Sequence, residues 1–396
     1  KIISDVNAEY GKVFARTDVE LNGAKEPGNR TQETNLGDLI TDSMLWAIRK
    51  DAELTVPAEN VVAITNGGGI RAAIHKGDIS KLDVNTVLPF GNTVAVVYVT
   101  GAELLEALEA STFALPKSLG GFPQIAGMNI SIDATKKYDA NADTYPGSTY
   151  HGPASINRVT INSVNGKAFD PNKTYAVVTN NFLAAGGDTY YAFAAASGQF
   201  DTGLPLDEVL MDYITTELKG VIGAQYAAPQ GRILMNPFKD VKTSAWYGSY
   251  VIDLYNDGII NGTSATTYAP NDTLTWAAAL KLLLVSHGDL KAADATGADW
   301  SKNTIAKAAE LGLVAADLDG AKAISRLEFC QVAAKLNKLA ESKTESKFTD
   351  CTDGYVMALV DAKVISGMTE TTFEPAASLT RAQIAKILYQ LTLIEK

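Results

Sequence analysis

The sequence predicts an α+β unit, a mixed sheet with helices, over residues 1–236, and a small all-α unit of three helical repeats over residues 237–396. Three observations predict this division. Short β-branched runs bounded by Gly, Asn or Pro alternate with helical stripes as far as Met235. The pair Asn236-Pro237 interrupts that pattern, and beyond it the chain repeats itself.

In the first unit, Leu36, Leu39, Ile40, Met44, Leu45 and Ile48 recur at helical spacing, with Asn35 expected as the N-cap. Segments 61–65, 93–100, 128–132, 156–161 and 175–179 read as strands. The polar stretch 136–151, crowded with Tyr, Asn, Asp, Pro and Gly, reads as an exposed loop. Leu210, Tyr213, Ile214 and Leu218 form a second helical stripe.

In the second unit, Phe238, Asp240, Gly262, Tyr268, Pro270, Leu274 and Thr275 align with Phe348, Asp350, Gly367, Phe373, Pro375, Leu379 and Thr380. The spacing from each glycine to the aromatic, the proline and the Leu-Thr pair is the same in both copies. A middle copy keeps Ala308, Ala309, Leu311, Gly312 and Leu313, then Ile324, Ser325 and Arg326, but drops the aromatic-x-Pro loop. The copies run over about 238–290, 298–340 and 346–396. One helical hairpin cannot bury its apolar face alone, so the three are expected to pack as one body.

An apolar share of 46% and a charged share of 20% are those of a globular chain rather than a disordered one. The net charge of −11 repels polyanions and argues against nucleic-acid binding. Cys330 and Cys351 are too few for a disulfide scaffold and lack the paired spacing of a zinc site; whether they pair stays open. No apolar run reaches the roughly 18 residues of a membrane-spanning helix. The chain opens on Lys1 with no charged leader, so a mature product or a fragment is expected. His75, His151 and His287 are scattered without ligand spacing, so no metal centre or catalytic group is expected.

Three segments stand out in the first unit. Asn66-Gly67-Gly68-Gly69-Ile70-Arg71 follows a strand, and its missing Cβ atoms would let backbone N–H groups approach an anion or flat ring, with Arg71 as a forked cation. Taken alone it equally reads as a tight turn. Asn180-Asn181-Phe182-Leu183-Ala184-Ala185-Gly186-Gly187-Asp188 offers a stacking face, room to enter and an acceptor for ribose hydroxyls, or else a core Phe182 and a turn-forming Asp188. Leu88-Pro89-Phe90-Gly91-Asn92 sets an aromatic between Pro and Gly, where it could form the second face of a base sandwich.

Together with the stretch from Asn29-Arg30-Thr31 through Asn35-Leu36-Gly37-Asp38 to Asp42, and with Gly231-Arg232-Ile233, these segments resemble the C-terminal domain of the 5′-nucleotidase family over roughly residues 10–235. The resemblance implies substrate-binding roles. Phe90 and Phe182 would clamp the base, Asn66 would contact it, Asp188 would accept from the ribose, and Arg30 and Arg71 would hold the phosphate. Gly68 would be the point of close backbone approach. In that family hydrolysis belongs to an N-terminal metallophosphoesterase domain with two divalent metals. No such ligand set is expected in this chain, which by itself is expected to be inactive.

The repeats resemble S-layer homology modules, which anchor surface proteins to secondary cell-wall polysaccharide. The family's Thr-Arg-Ala-Glu-like close is matched by Thr380-Arg381-Ala382-Gln383 and Ser325-Arg326-Leu327-Glu328; in the first copy Trp276 replaces the Arg. The resemblance makes Arg326 and Arg381, with Trp246, candidate contacts to an acidic sugar, against the alternatives of capping arginines and a core tryptophan. Three readings follow: the substrate-recognition half of a surface 5′-nucleotidase, extracellular and bound to the cell wall or S-layer; a nucleotide-binding module without catalysis; and a structural subunit, homo-oligomer or surface array, whose pocket is idle.

Overall fold

The structure, a computed structural model, describes residues 10–51, 54–242 and 244–394. The chain separates into two compact units, Lys1–Pro237 and Phe238–Lys396. Along the first unit run β1 (Val13–Thr17), α1 (Asn35–Asp51), β2 (Val61–Asn66), β3 (Gly77–Ser80), α2 (Lys81–Val87), β4 (Thr93–Thr100), α3 (Gly101–Ala110), β5 (Pro123–Ala126) and β6 (Met128–Asp133). There follow β7 (Ala140–Thr144), β8 (His151–Pro153), β9 (Val159–Val164), β10 (Thr174–Asn180), α4 (Asn181–Ala184), α5 (Tyr191–Ala194), β11 (Gly198–Pro205), α6 (Leu206–Asp212), β12 (Val221–Ile222) and β13 (Ile233–Asn236).

A mixed sheet in the order β11-β4-β10-β2-β5 forms the centre. β10 pairs parallel with β2 and antiparallel with β4. Its central strands are buried on both faces, so their apolar residues run continuously and successive side chains enter different cores. Val61, Ala63, Val94, Val96, Ala176 and Val178 join α1 and α6 in one core. Val62, Ile64, Val97, Val99, Tyr175 and Val177 join α3 and the small sheet β13-β6-β9 in the other.

Three local expectations are corrected. α1 starts at Asn35, but the cap is Thr34, whose Oγ1 accepts from the Gly37 N–H at 3.1 Å. The Asn35 side chain turns away as a clasp, accepting from the Asn22 N–H and donating to the Glu20 and Tyr226 carbonyls. The strand expected at 156–161 lies at Val159–Val164, because pairing of Val159 with Ile132 and Ile161 with Ile130 sets its register and leaves Ile156 exposed. Segment 136–151 contains β7 and leads into β8, a hairpin whose first strand is exposed throughout and so carries no apolar alternation to read. The helical stripe expected at 210–218 is present: Leu210, Tyr213 and Ile214 are buried, and α6 passes at Asp212 into a wider helical turn over Tyr213–Glu217.

The second unit contains α7 (Gly248–Asn256), α8 (Trp276–His287), α9 (Trp300–Glu310), α10 (Arg326–Leu336), α11 (Gly354–Asp361) and α12 (Arg381–Thr392) around one core. In the outer copies an aspartate ties down the loop. Asp240 accepts from the Tyr268 and Ala269 N–H groups, and Asp350 accepts from those of Phe373 and Glu374.

The copies close into a ring through the starts of their second helices. Trp276 N–H donates to Lys322 of the middle copy, Arg326 N–H to Ala377 of the third, and Arg381 N–H to Asp272 of the first. Each copy therefore completes its neighbour, the physical reason three pack together. Cys330 and Cys351 are free, buried thiols, and burial pushes Cys330 up to about 12.

Candidate functional site

β2 and β10 are parallel neighbours, so both end at the same edge of the sheet, where ligands of mixed α/β sheets commonly bind. β4 is antiparallel to β10 and begins at that edge, which brings the preceding Phe90 and Asn92 there as well. At the strand ends Asn180 caps α4 through Oδ1 and donates its amide to Asn66 Oδ1 at 3.2 Å. Asn66 in turn donates to Asp188 Oδ2 at 2.8 Å. The amide chain fixes which way Asn66 and Asp188 point.

Arg30, Asn66, Gly68, Arg71, Phe90, Phe182 and Asp188 all line one cavity of about 460 Å³. Phe90 and Phe182 are 59% and 45% exposed, so neither ring belongs to the core. The Phe182 ring lies against Gly187, where a Cβ would stand 2.5 Å from it. The Arg71 guanidinium sits 5.6 Å from the Phe90 ring centre and donates to the Gly68 carbonyl at 3.2 Å. Burial, and then the charge of Arg71, pull the Arg30 pKa down, opposed by Asp188. Burial raises Asp188, opposed by the Asn66 hydrogen bond and by Arg30. The cavity thus combines two mutually repelling guanidinium groups, exposed aromatic faces and a carboxylate.

The glycine run works differently from the sequence expectation. Gly67 N–H donates to the Phe122 carbonyl at 2.8 Å and Gly68 N–H to that of Gly120 at 2.7 Å, so neither is left for an anion. Glycine is required instead for close approach: a Cβ on Gly67 would fall 1.7 Å from the Asn29 carbonyl oxygen, and one on Gly68 would meet the Gly120 backbone at 3.0 Å.

The run stitches the Arg30 segment and the 119–122 loop to the end of β2. Gly120, which lines the cavity, escaped the sequence reading; the Gly120-Gly121 pair before Phe122-Pro123 was its available signal. Gln124, fully buried in β5, also escaped it. Its Oε1 accepts from Thr34 N–H, and its Nε2 donates to the Asn29 and Gln32 carbonyls, which secures the stretch that carries Arg30.

None of the histidines lines this cavity. His75 Nδ1 contacts Glu20 Oε1, His151 bonds to the Asn141 carbonyl, and His287 lies beside Asp289 in the second unit. Among the described residues no three His, Cys, Asp or Glu side chains are grouped to hold a metal ion. No helix among them is long and apolar enough to cross a membrane.

In the second unit Trp246 and Arg326 share a cavity of about 340 Å³ with Ser366, Met368, Gln383 and Lys386. Trp246 is 58% exposed, so it is not a core residue. The Arg326 guanidinium lies over the Phe373 ring at 4.6 Å and donates to the Ser366 carbonyl at 2.7 Å. Arg381 is not part of that cavity. It stacks on Tyr268 at 4.4 Å and donates to the Tyr268 and Asn261 carbonyls at 2.6 and 2.8 Å. Nε and one Nη2 donor are thus engaged by the chain itself. Trp276, in the arginine position of the first copy, is buried.

Comparison with known proteins agrees with both halves. The family model "5'-nucleotidase, C-terminal domain" matches residues 13–195, and the S-layer homology model matches 237–279 and 350–385, within the first and third copies. The trifunctional nucleotide phosphoesterase protein YfkN of Bacillus subtilis is 41% identical over 219 residues, 55% of this chain and 13% of that protein. Protein UshA of Escherichia coli is 33% identical over 199 residues, 49% of this chain and 30% of that protein. A solved 5'-nucleotidase precursor from Thermus thermophilus is 35% identical with a TM-score of 0.48, over 59% of this chain and 41% of that one. The chain thus spans less than half the length of these relatives. Residues 13–195 are a 5′-nucleotidase C-terminal domain, and the helical unit that follows carries S-layer homology domains.

Proposed function

We propose that the first unit recognises a nucleoside monophosphate and that the second attaches it to cell-wall polysaccharide at the cell surface. The observation that carries the first part is the convergence of Phe90, Phe182, Asp188, Arg30 and Arg71 on one 460 Å³ cavity. In this reading the base stacks between the two rings, Asp188 accepts from the ribose hydroxyls, and Asn66 contributes a polar contact to the base. The two arginines take the phosphate. A dianion between them relieves their mutual repulsion, and guanidinium forks suit phosphate oxygens. Stacking tolerates every base, so ring selectivity is expected to be weak.

Phosphate cleavage would need a metal-activated water, and the described residues group no ligands for one. In this reading the chain acts as the recognition half of a surface 5′-nucleotidase. Calorimetric titration with AMP and adenosine tests the reading: AMP is expected to bind more tightly than adenosine, and absence of heat with both would sink it. For the anchor, the S-layer homology domains and the Trp246–Arg326 cavity support an acidic sugar ligand. Co-sedimentation of the chain with purified cell-wall sacculi tests this, and a protein that stays in the supernatant would refute it.

A further inference from the structure

Behind the cavity, between α1 and β13, lies a buried set of charges. Glu33 and Asp38 are 5% and 0% exposed. Glu33 Oε2 accepts from the Ile233 N–H at 2.6 Å, and Asp38 Oδ2 from the Gln230 N–H at 3.0 Å. Their remaining oxygens, Glu33 Oε1 and Asp38 Oδ1, are buried and receive no hydrogen bond from the described residues. Arg232 directs its short contacts elsewhere, to Asp42 Oδ2 at 2.8 Å and the Ile125 carbonyl at 2.9 Å, and stands 3.7 Å from Asp38 Oδ1. Tyr226 donates to Asp42 at 2.8 Å, and its oxygen lies 3.0 Å from that of Tyr213.

Asp38 and Asp42 thus share a single guanidinium, that of Arg232, on which the Glu33 charge also acts, with the Tyr226 and Tyr213 hydroxyls at the rim. Two fully ionised carboxylates with bare oxygens in such burial are strongly unfavourable. A proton held between the bare oxygens makes one a donor and the other an acceptor and removes one negative charge.

We propose that Glu33 and Asp38 share one proton, and that this carboxyl–carboxylate pair pins the 29–34 segment to the Gln230–Ile233 segment that leads into β13 and so positions Arg30 in the nucleotide cavity. The positioning half rests on the reading of Arg30 as a phosphate contact. Burial and the Glu33 charge push Asp38 up to about 9, against the pull of Arg232. Since the folded value is raised, the stabilisation is complete at low pH and is lost as pH rises through that value. Ionisation then sets two like charges against each other three residues from Arg30. Glu33 and Asp38 are positioning residues, since neither lines the cavity.

Infrared spectra of the full chain near neutral pH are expected to contain a protonated-carboxyl band that Asp38→Asn removes. A wild-type spectrum without it, or a band that survives the substitution, overturns the shared proton. In AMP titrations from about pH 6 to about pH 10, wild-type affinity is expected to fall about tenfold per pH unit beyond the Asp38 transition. Asp38→Asn, whose amide N–H takes the proton's place beside Glu33, is expected to stay level. Parallel profiles overturn the positioning role. If the wild type binds no AMP at any pH, the Arg30 reading fails instead, and the infrared band alone decides the proton pair. Should Asp38→Asn not fold, Glu33→Gln provides the same comparison. If neither folds, the wild-type melting temperature must still decline toward pH 9, and a level one overturns the proposal.

Discussion

The absent side chain at position 187 allows the Phe182 ring to stand open at the cavity rim. Gly187→Ala would place a methyl group 2.5 Å from that ring and displace it, so this variant is expected to fold but to bind AMP more weakly. Each aromatic face should contribute about 1–3 kcal/mol of stacking. Phe90→Ala and Phe182→Ala are therefore each expected to cost about 5- to 150-fold in AMP affinity by calorimetry. Both rings are about half exposed, so melting temperatures should hardly change. Arg30→Ala and Arg71→Ala should weaken AMP by about tenfold or more, at the 1.5–3 kcal/mol of a charged hydrogen bond, yet leave adenosine unaffected. Equal losses for both ligands would contradict the phosphate assignment. These residue types could be read from the sequence because each motif holds its own polar and aromatic groups within a few positions. Which backbone N–H groups were free could not, since Gly67 and Gly68 are occupied by Phe122 and Gly120, more than fifty residues away.

Among the elements, the loops of the repeat unit divide the two arginines into different tasks. Arg381 donates to two carbonyls and stacks on Tyr268, so Arg381→Ala is expected to cost roughly 2–4 kcal/mol in denaturant unfolding of that unit. Trp246→Ala, at an exposed position, should leave stability intact and reduce sedimentation with sacculi. The Phe373 and Glu374 N–H groups hold the Asp350 pKa below its ordinary value. A depressed carboxylate stabilises above its unfolded pKa and loses that contribution as pH falls through the folded one. Thermal melts in acid should therefore show a steeper loss for the wild type than for Asp350→Asn, and superimposable acid limbs would refute this. The repeat spacing shows that Asp240 and Asp350 are equivalent. That Arg326 lines a cavity while Arg381 lies outside it and donates to the Tyr268 and Asn261 carbonyls depends on which loop each helix start meets around the ring.

Across the whole molecule, the two units have cores with no residue in common. A chain ended after Pro237 is accordingly expected to keep AMP affinity within about twofold and to lose wall binding; loss of both would show that the units depend on each other. The sequence by itself determined the two fold classes, the repeat and the identity of most of the residues now lining the cavity. Apolar period, turn residues and glycine spacing act over a few positions and need no tertiary partner to be read. Only the tertiary structure decided the strand register at 159–164, the clasp made by Gln124, the Gly120 contribution and the meeting of Glu33 and Asp38 with Arg232. Each of these joins chain segments far apart in sequence, and strand order and burial, which no local pattern encodes, set which of them come into contact.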